Sequence, residues 1–230
     1  MTVQTIPIVA LDVPKSADAL SIARTLGDAC RFYKVGNELF TAEGPAIVRE
    51  LRSVGADVFL DLKYHDIPNT VAGAVRSAVA LGVRLLTVHA SGGADMLAAA
   101  QRAADGRCDL LAVTVLTSLD ADGLGAAWGR EPPDVEKEVL RLAGLAERAG
   151  VHGIVCAGTE AAAARRTFGE RLSILVPGIR LADGPAHDQR RVMTPADARR
   201  AGASYIVVGR AVTAAADPLA AFERVVRELG

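Results

Sequence analysis

The stretch Asp61-Leu62-Lys63-Tyr64-His65-Asp66 sets two carboxyl groups and one amine close together. A lysine with opposite charges nearby is favoured in its ammonium form, so Lys63 is expected to donate a proton and to stabilise negative charge rather than to act as an amine nucleophile. The apolar lead-in Val58-Phe59-Leu60 reads as a buried strand, and Pro68 suits the first turn of a following helix. The charges therefore sit where a strand ends and a helix begins. Alternation along the strand puts Asp61 and Lys63 on one face, Leu62 on the other and Asp66 in the turn, which predicts one ammonium between two carboxylates. A lone Asp-x-Lys also reads as a salt-bridged strand end. Three spaced charges beside a Pro-Asn turn favour a site.

The elements that must hold these groups recur along the chain. Apolar runs at 6–11, 32–36, 58–63, 85–89, 110–115, 153–156, 173–176 and 205–208 read as strands. Helical patterns at 16–26, 43–54, 68–81, 94–103, 134–149, 159–168 and 218–229 alternate with them, and Thr194-Pro195 opens a further short helix. Eight strands alternating with helices predict a parallel sheet closed into a (β/α)8 TIM barrel, an α/β fold occupying residues 1–230 as a single domain. The competing open, doubly wound sheet lacks a G-x-G-x-x-G after its first strand.

In such barrels the C-terminal strand ends carry the chemistry. That geometry brings Asp12, Lys34, Asp61, Lys63, Thr117, Arg180 and Arg210 to one face. Each alone also reads as a turn, loop or surface residue, and their common location carries the inference. Gly209-Arg210 and Pro177-Gly178-Ile179-Arg180 follow the last two predicted strands, where barrels often bind phosphate. The Gly/Pro/Asp loop over 181–189 has the composition of a lid.

Composition narrows the function. The 230 residues carry a net charge of −1 and a pI of about 6.4, so no basic face for nucleic acid and no polybasic membrane anchor is expected. No apolar run approaches the roughly 18 residues of a membrane span, and the start Met1-Thr2-Val3-Gln4 has no basic leader, so a cytoplasmic protein acting on small molecules is expected. Cys30, Cys108 and Cys156 are widely spaced and read as reduced and buried. His65, His89, His152 and His187 show no metal-ligand spacing, so no metal site is expected. Basic residues are mostly arginine, yet Lys34 and Lys63 stand at predicted strand ends, where a compact protonatable charge differs from a guanidinium.

Asp61-x-Lys63-x-x-Asp66-Ile67-Pro68-Asn69-Thr70 occurs with Val88-His89-Ala90-Ser91-Gly92-Gly93, Leu116-Thr117-Ser118, Pro177-Gly178-Ile179-Arg180, Asp188-Gln189-x-Arg191 and Val208-Gly209-Arg210. With these motifs the chain closely resembles the bacterial orotidine 5′-phosphate decarboxylase family from about Ile8 to Pro218. The resemblance implies cofactor-free decarboxylation of orotidine 5′-monophosphate to uridine 5′-monophosphate, the last step of pyrimidine nucleotide synthesis. It implies that Lys63 protonates C6 and that Lys34, Asp61 and Asp66 complete its charge network. It assigns the ribose to Asp12 and Lys34, the neighbourhood of the pyrimidine to Thr117, and the phosphate to Arg180, Gln189, Gly209 and Arg210. It also implies a homodimer in which Asp66, Ile67 and Thr70 reach the neighbouring site. Leu181 and Ala211 stand where the family usually has proline. Two alternatives remain open: a related Mg²⁺-dependent sugar-phosphate synthase or decarboxylase that holds an enediolate, and a nucleotide-binding protein without catalysis.

Overall fold

Short runs dominated by Ile, Val and Leu form the strands of a computed structural model that describes residues 4–129, 131–181 and 193–230. They are β1 (Ile6–Ala10), β2 (Phe32–Gly36), β3 (Asp57–Tyr64), β4 (Leu85–His89), β5 (Asp109–Val113), β6 (Gly153–Val155), β7 (Ser173–Val176) and β8 (Tyr205–Val208). Each pairs in parallel with the next, and β1 pairs with β8 to close the barrel. Parallel neighbours need long crossovers, which the intervening helices supply; this is the (β/α)8 barrel that the alternation predicts.

The period of two along each strand divides the core. Ile8, Phe32, Phe59, Leu85, Leu111 and Val207 pack together inside the barrel. Their neighbours, among them Val9, Leu60, Leu86 and Val208, belong to the larger layer between sheet and helices. Strands buried on both faces read as continuous apolar runs, which is why they stand out in the sequence. Cys30, Cys108 and Cys156 are free and buried, as expected.

Three local features depart from the sequence expectation. The helix expected over 43–54 is two helices, Asn37–Glu43 and Pro45–Ser53, because Gly44 adopts φ 62° and Pro45 then starts afresh at the first helical position. An unexpected helix, Ala121–Trp128, contains Gly123 and Gly125, which weaken its helical signal; the Asp120 side chain caps it by accepting from the Gly123 N–H at 2.9 Å. A further short helix, Arg210–Thr213, directly follows β8. At the opposite end of the barrel, Asp57 pairs with Arg52 at 3.1 Å and Arg84 at 2.6 Å, so charges there serve the scaffold.

Candidate active site

The strand period that fills the barrel also builds its mouth. Continuing inward-facing positions by one step leads from Ala10 to Asp12, from Phe32 to Lys34 and from Phe59 to Asp61, so polar groups cap the apolar interior. They line a cavity of about 360 Å³ together with Lys63, Thr117, Arg180, Gly209 and Arg210. Val113, Val155, Leu175 and Val207 supply its apolar lining. Lys34 and Asp61, nearly buried over this lining, act more strongly than they would in solution.

The charges form a chain. Lys34 Nζ lies 2.7 Å from Asp12 Oδ1 and 3.9 Å from Asp61 Oδ2. Lys63 Nζ donates to Asp61 Oδ1 at 2.8 Å. The Lys34 and Asp61 side chains are nearly buried, at 10% and 13% exposure, whereas Lys63 is more open at 31%. A buried lysine needs compensating anions, and Lys34 has two. Both lysines line the cavity, and Lys63 is the more exposed of the two.

Within one chain Lys63 pairs with Asp61 and not with Asp66. In this line of charges, one carboxylate, Asp61, lies between two ammoniums, Lys34 and Lys63. Asp66 is exposed, and its Oδ1 accepts from the Ile67 N–H at 2.6 Å. The expected strand alternation stops short of Lys63, whose φ of 52° is left-handed. That conformation is uncommon outside glycine and re-aims the backbone at the end of β3.

The other half of the mouth is cationic. Gly178 takes φ 77°, a conformation suited to glycine, in the turn that leads to Arg180. Ile179 bridges Met193, and the Arg180 N–H donates to the Met193 carbonyl at 3.0 Å, which joins the two stems of the connection after β7. Arg180 is buried, its Nη1 donating to the Ile179 carbonyl at 3.1 Å, and Arg210 opens the helix after β8; both residues line the cavity from adjacent units. A pocket lined by two arginines and by a charge-balanced Asp–Lys chain suits a ligand with one strongly anionic group and polar groups that the chain can hold.

Of the candidates, Asp12, Lys34, Asp61, Lys63, Thr117, Arg180, Gly209 and Arg210 come together at the cavity. Asp66, Ile67 and Thr70 do not line it; all three are exposed, Ile67 at 67%. Gln189 and the 182–189 part of the expected lid lie outside the described residues, as do His187, Asp188 and Arg191. Sequence reasoning passed over Thr213, which lines the cavity, and Thr87. The Thr87 hydroxyl accepts from the Lys63 N–H and donates to Asp61 Oδ1, each at 2.9 Å. Its signal is a polar residue at an inward position of the apolar strand Leu85-Leu86-Thr87-Val88-His89.

His89, at the end of the same strand, packs its ring 5.3 Å from that of His65. Burial pushes its pKa below the ordinary histidine value, and the neighbouring His65 and Lys63 push the same way. Its imidazole is thereby favoured neutral beside the ammonium. Among the described residues, no group of three or more His, Cys, Asp or Glu side chains is placed to hold a metal ion.

The sequence pattern of the orotidine 5′-phosphate decarboxylase / HUMPS family matches residues 5–225. The orotidine 5′-phosphate decarboxylase of Anaeromyxobacter sp. (strain K) is 55% identical over 212 residues, 92% of each chain. That of Halorhodospira halophila is 50% identical over 225 residues, 96% of this chain and 94% of the relative. The crystal structure of the Lactobacillus acidophilus orotidine 5′-phosphate decarboxylase superposes with a TM-score of 0.87 at 36% identity, covering 99% of both chains.

Proposed function

The chain belongs to the orotidine 5′-phosphate decarboxylase / HUMPS family, and from that membership and the cavity we propose that it converts orotidine 5′-monophosphate to uridine 5′-monophosphate and CO₂ without a cofactor. The observation that carries this reading is that the Asp12–Lys34–Asp61–Lys63 chain lines one cavity together with Arg180 and Arg210. The substrate phosphate suits the two arginines, and its ring carboxylate would meet both the Lys63 ammonium and the Asp61 carboxylate.

In this reading Arg180, Gly209, Arg210 and Gln189 bind the phosphate, Asp12 and Lys34 hold the ribose, and Thr117 borders the pyrimidine. The ring carboxylate then lies toward Asp61 and Lys63. Breaking the C6–carboxyl bond releases CO₂ and leaves the bonding electron pair on C6. No neighbouring atom delocalises that pair, so a fixed ammonium offers the needed stabilisation. Lys63 Nζ transfers a proton to C6, and the resulting amine regains its proton from water. Asp61 serves twice: it orients Lys63 through the 2.8 Å ion pair, and its charge disfavours the bound carboxylate before CO₂ departs. The remote phosphate supplies binding energy that holds the ring in register.

The exposure of Asp66, Ile67 and Thr70 supports a second element of the proposal. An isoleucine at 67% exposure beside a catalytic mouth is suited to an interface. In a homodimer, Asp66, Ile67 and Thr70 of the partner subunit complete each site, and Asp66 adds the second carboxylate near Lys63. No helix among the described residues is long and apolar enough to cross a membrane, and we place this single-domain enzyme in the cytoplasm.

The test mixes the protein with carboxyl-labelled orotidine 5′-monophosphate in EDTA and counts released CO₂. Release that Lys63→Ala lowers by about a thousandfold or more, with uridine 5′-monophosphate still bound, is the expected result. Neither CO₂ release nor nucleotide binding, with Mg²⁺-dependent turnover of a sugar phosphate instead, would transfer the chain to the metal-dependent sugar-phosphate enzymes. Nucleotide binding without CO₂ release would leave a binding protein.

A further inference from the structure

We propose that Thr87 is a positioning residue of this site: its hydroxyl holds the bulge that aims Lys63 and fixes the Asp61 carboxylate at the same time. The inference rests on the function proposed above.

The strand register carries it. β3 pairs with β4 as Leu60 with Leu86, then as Tyr64 with Val88. Asp61, Leu62 and Lys63 therefore lie opposite the single residue Thr87. Such a bulge deprives the longer strand of ladder partners and bends it. One substitute partner is visible: the Lys63 N–H donates to Thr87 Oγ1 at 2.9 Å rather than to a backbone carbonyl of β4. The same hydroxyl donates its proton to Asp61 Oδ1 at 2.9 Å. That oxygen also accepts from Lys63 Nζ at 2.8 Å. The hydroxyl thus closes a ring through the backbone and the side chain of one lysine and the carboxylate between them.

The backbone cost lies at the same point. Lys63 holds a left-handed φ of 52°, a conformation that persists where surrounding contacts impose it. Thr87 is 0% exposed, so no water replaces its hydroxyl if it is removed. Its β-branch restricts the side-chain rotamer in a strand, which fixes the direction of the hydroxyl. Valine at 87 would preserve shape and branching while removing both hydrogen bonds. Lys63 would then lose the partner of its N–H, and Asp61 would lose one of the two donors to Oδ1. The ammonium should drift from the reacting carbon although every charged group remains.

The experiment compares Thr87→Val, Thr87→Ser and wild type by kcat, by Kd for uridine 5′-monophosphate and by hydrogen exchange at the Lys63 amide. Valine is expected to lower kcat by about ten- to a hundredfold, the worth of hydrogen bonds to a charged group, with Kd within about twofold. Serine restores kcat. The Lys63 amide loses protection with valine and keeps it with serine. Should the valine protein not fold, Thr87→Ala is read in the same way against serine. Undiminished kcat with valine would overturn the proposal, as would equal losses with valine and serine, which would assign the effect to packing of the methyl group. The exchange measurement needs no turnover: if wild type releases no CO₂, the decarboxylase reading fails, while unchanged Lys63 protection in the valine protein refutes the role of Thr87 separately.

Discussion

Gly36 offers a perturbation that touches the charge chain without altering any of its members. It ends β2 with φ −95° and ψ −176°, extended values open to alanine, so the backbone gives no reason for glycine there. The reason is space: a Cβ at Gly36 would stand 3.0 Å from Lys34 Nζ and 3.2 Å from Asp12 Oδ1. Non-bonded heavy atoms settle at about 3.5 Å or more, so Lys34 must move by about 0.5 Å. Its side chain is 10% exposed and held between Asp12 at 2.7 Å and Asp61 at 3.9 Å, which leaves little room to retreat. A displacement near 0.5 Å is the tolerance of a catalytic constellation, and about 1 Å of misplacement costs about a hundredfold, so Gly36→Ala is expected to lower kcat/KM by about tenfold, or about 1.4 kcal/mol. Stability should move little. Gly→Ala at a compatible position gains about 0.4–1 kcal/mol through the unfolded chain, which offsets a steric cost of similar size and keeps Tm within about 4 °C. Steady-state decarboxylation and thermal melts on the same preparation read both quantities. Activity within about twofold of wild type would refute the claim that Lys34 is tightly placed, and a loss that tracks a collapse in Tm would refute the claim that the contact acts on the site alone.

Two further outcomes follow from buried titratable groups. His89 has a folded-state pKa below its ordinary value of about 6.5, so as pH falls below that value the unfolded chain takes up a proton that the folded chain resists. Stability conferred by the neutral form is thus full above about pH 6.5 and declines as pH falls toward the lowered folded value; denaturant melts of wild type and His89→Gln between about pH 7.5 and 5 should show a shallower slope in the variant, and equal slopes would contradict the burial of His89 as the cause. The thiols are protected from reaction: burial pushes Cys108 up to about 12, and it raises Cys30 and Cys156 as well. A colorimetric disulfide reagent should therefore label all three only as fast as the protein unfolds, and rapid labelling of a native cysteine would refute that burial.

Much of this was legible because short parallel strands are apolar on both faces. Runs such as Leu85-Leu86-Thr87-Val88-His89 and Tyr205-Ile206-Val207-Val208 announce themselves, and their alternation with helices fixes the barrel. The helix Ala121–Trp128 was hidden by Gly123 and Gly125, whose low propensity is offset by the Asp120 cap and by burial of Leu124. Site residues at strand ends were equally legible, since the fold brings Asp12, Lys34, Asp61 and Arg210 to one mouth whatever their individual contacts. Their order was not. It depends on the left-handed Lys63 and on a three-to-one mismatch between β3 and β4, which arises from pairing between distant segments and leaves no local pattern. Thr87 escaped notice for a related reason: threonine suits any strand, and its hydroxyl acquires meaning only opposite the bulge.

The observed order also bears on how, in the proposed reaction, Lys63 would serve as donor while Lys34 holds the charge network and the ribose. Lys34, buried between Asp12 and Asp61, has its charge compensated by two anions within the chain. Lys63 shares Asp61 with it and is more exposed to the cavity. In the proposed reaction the substrate carboxylate would approach Asp61, and that repulsion would be relieved as CO₂ leaves and its charge passes to the ring carbon. The ammonium that Asp61 has held in place then faces a centre that needs both a positive charge and a proton. A lysine standing alone would be free to pair with the substrate carboxylate and stabilise it before reaction, which does not lower the barrier. In that reading, tying Lys63 to Asp61 by its side chain, and to Thr87 by its backbone, would weaken that competing use and reserve the charge for the step that creates the carbanion.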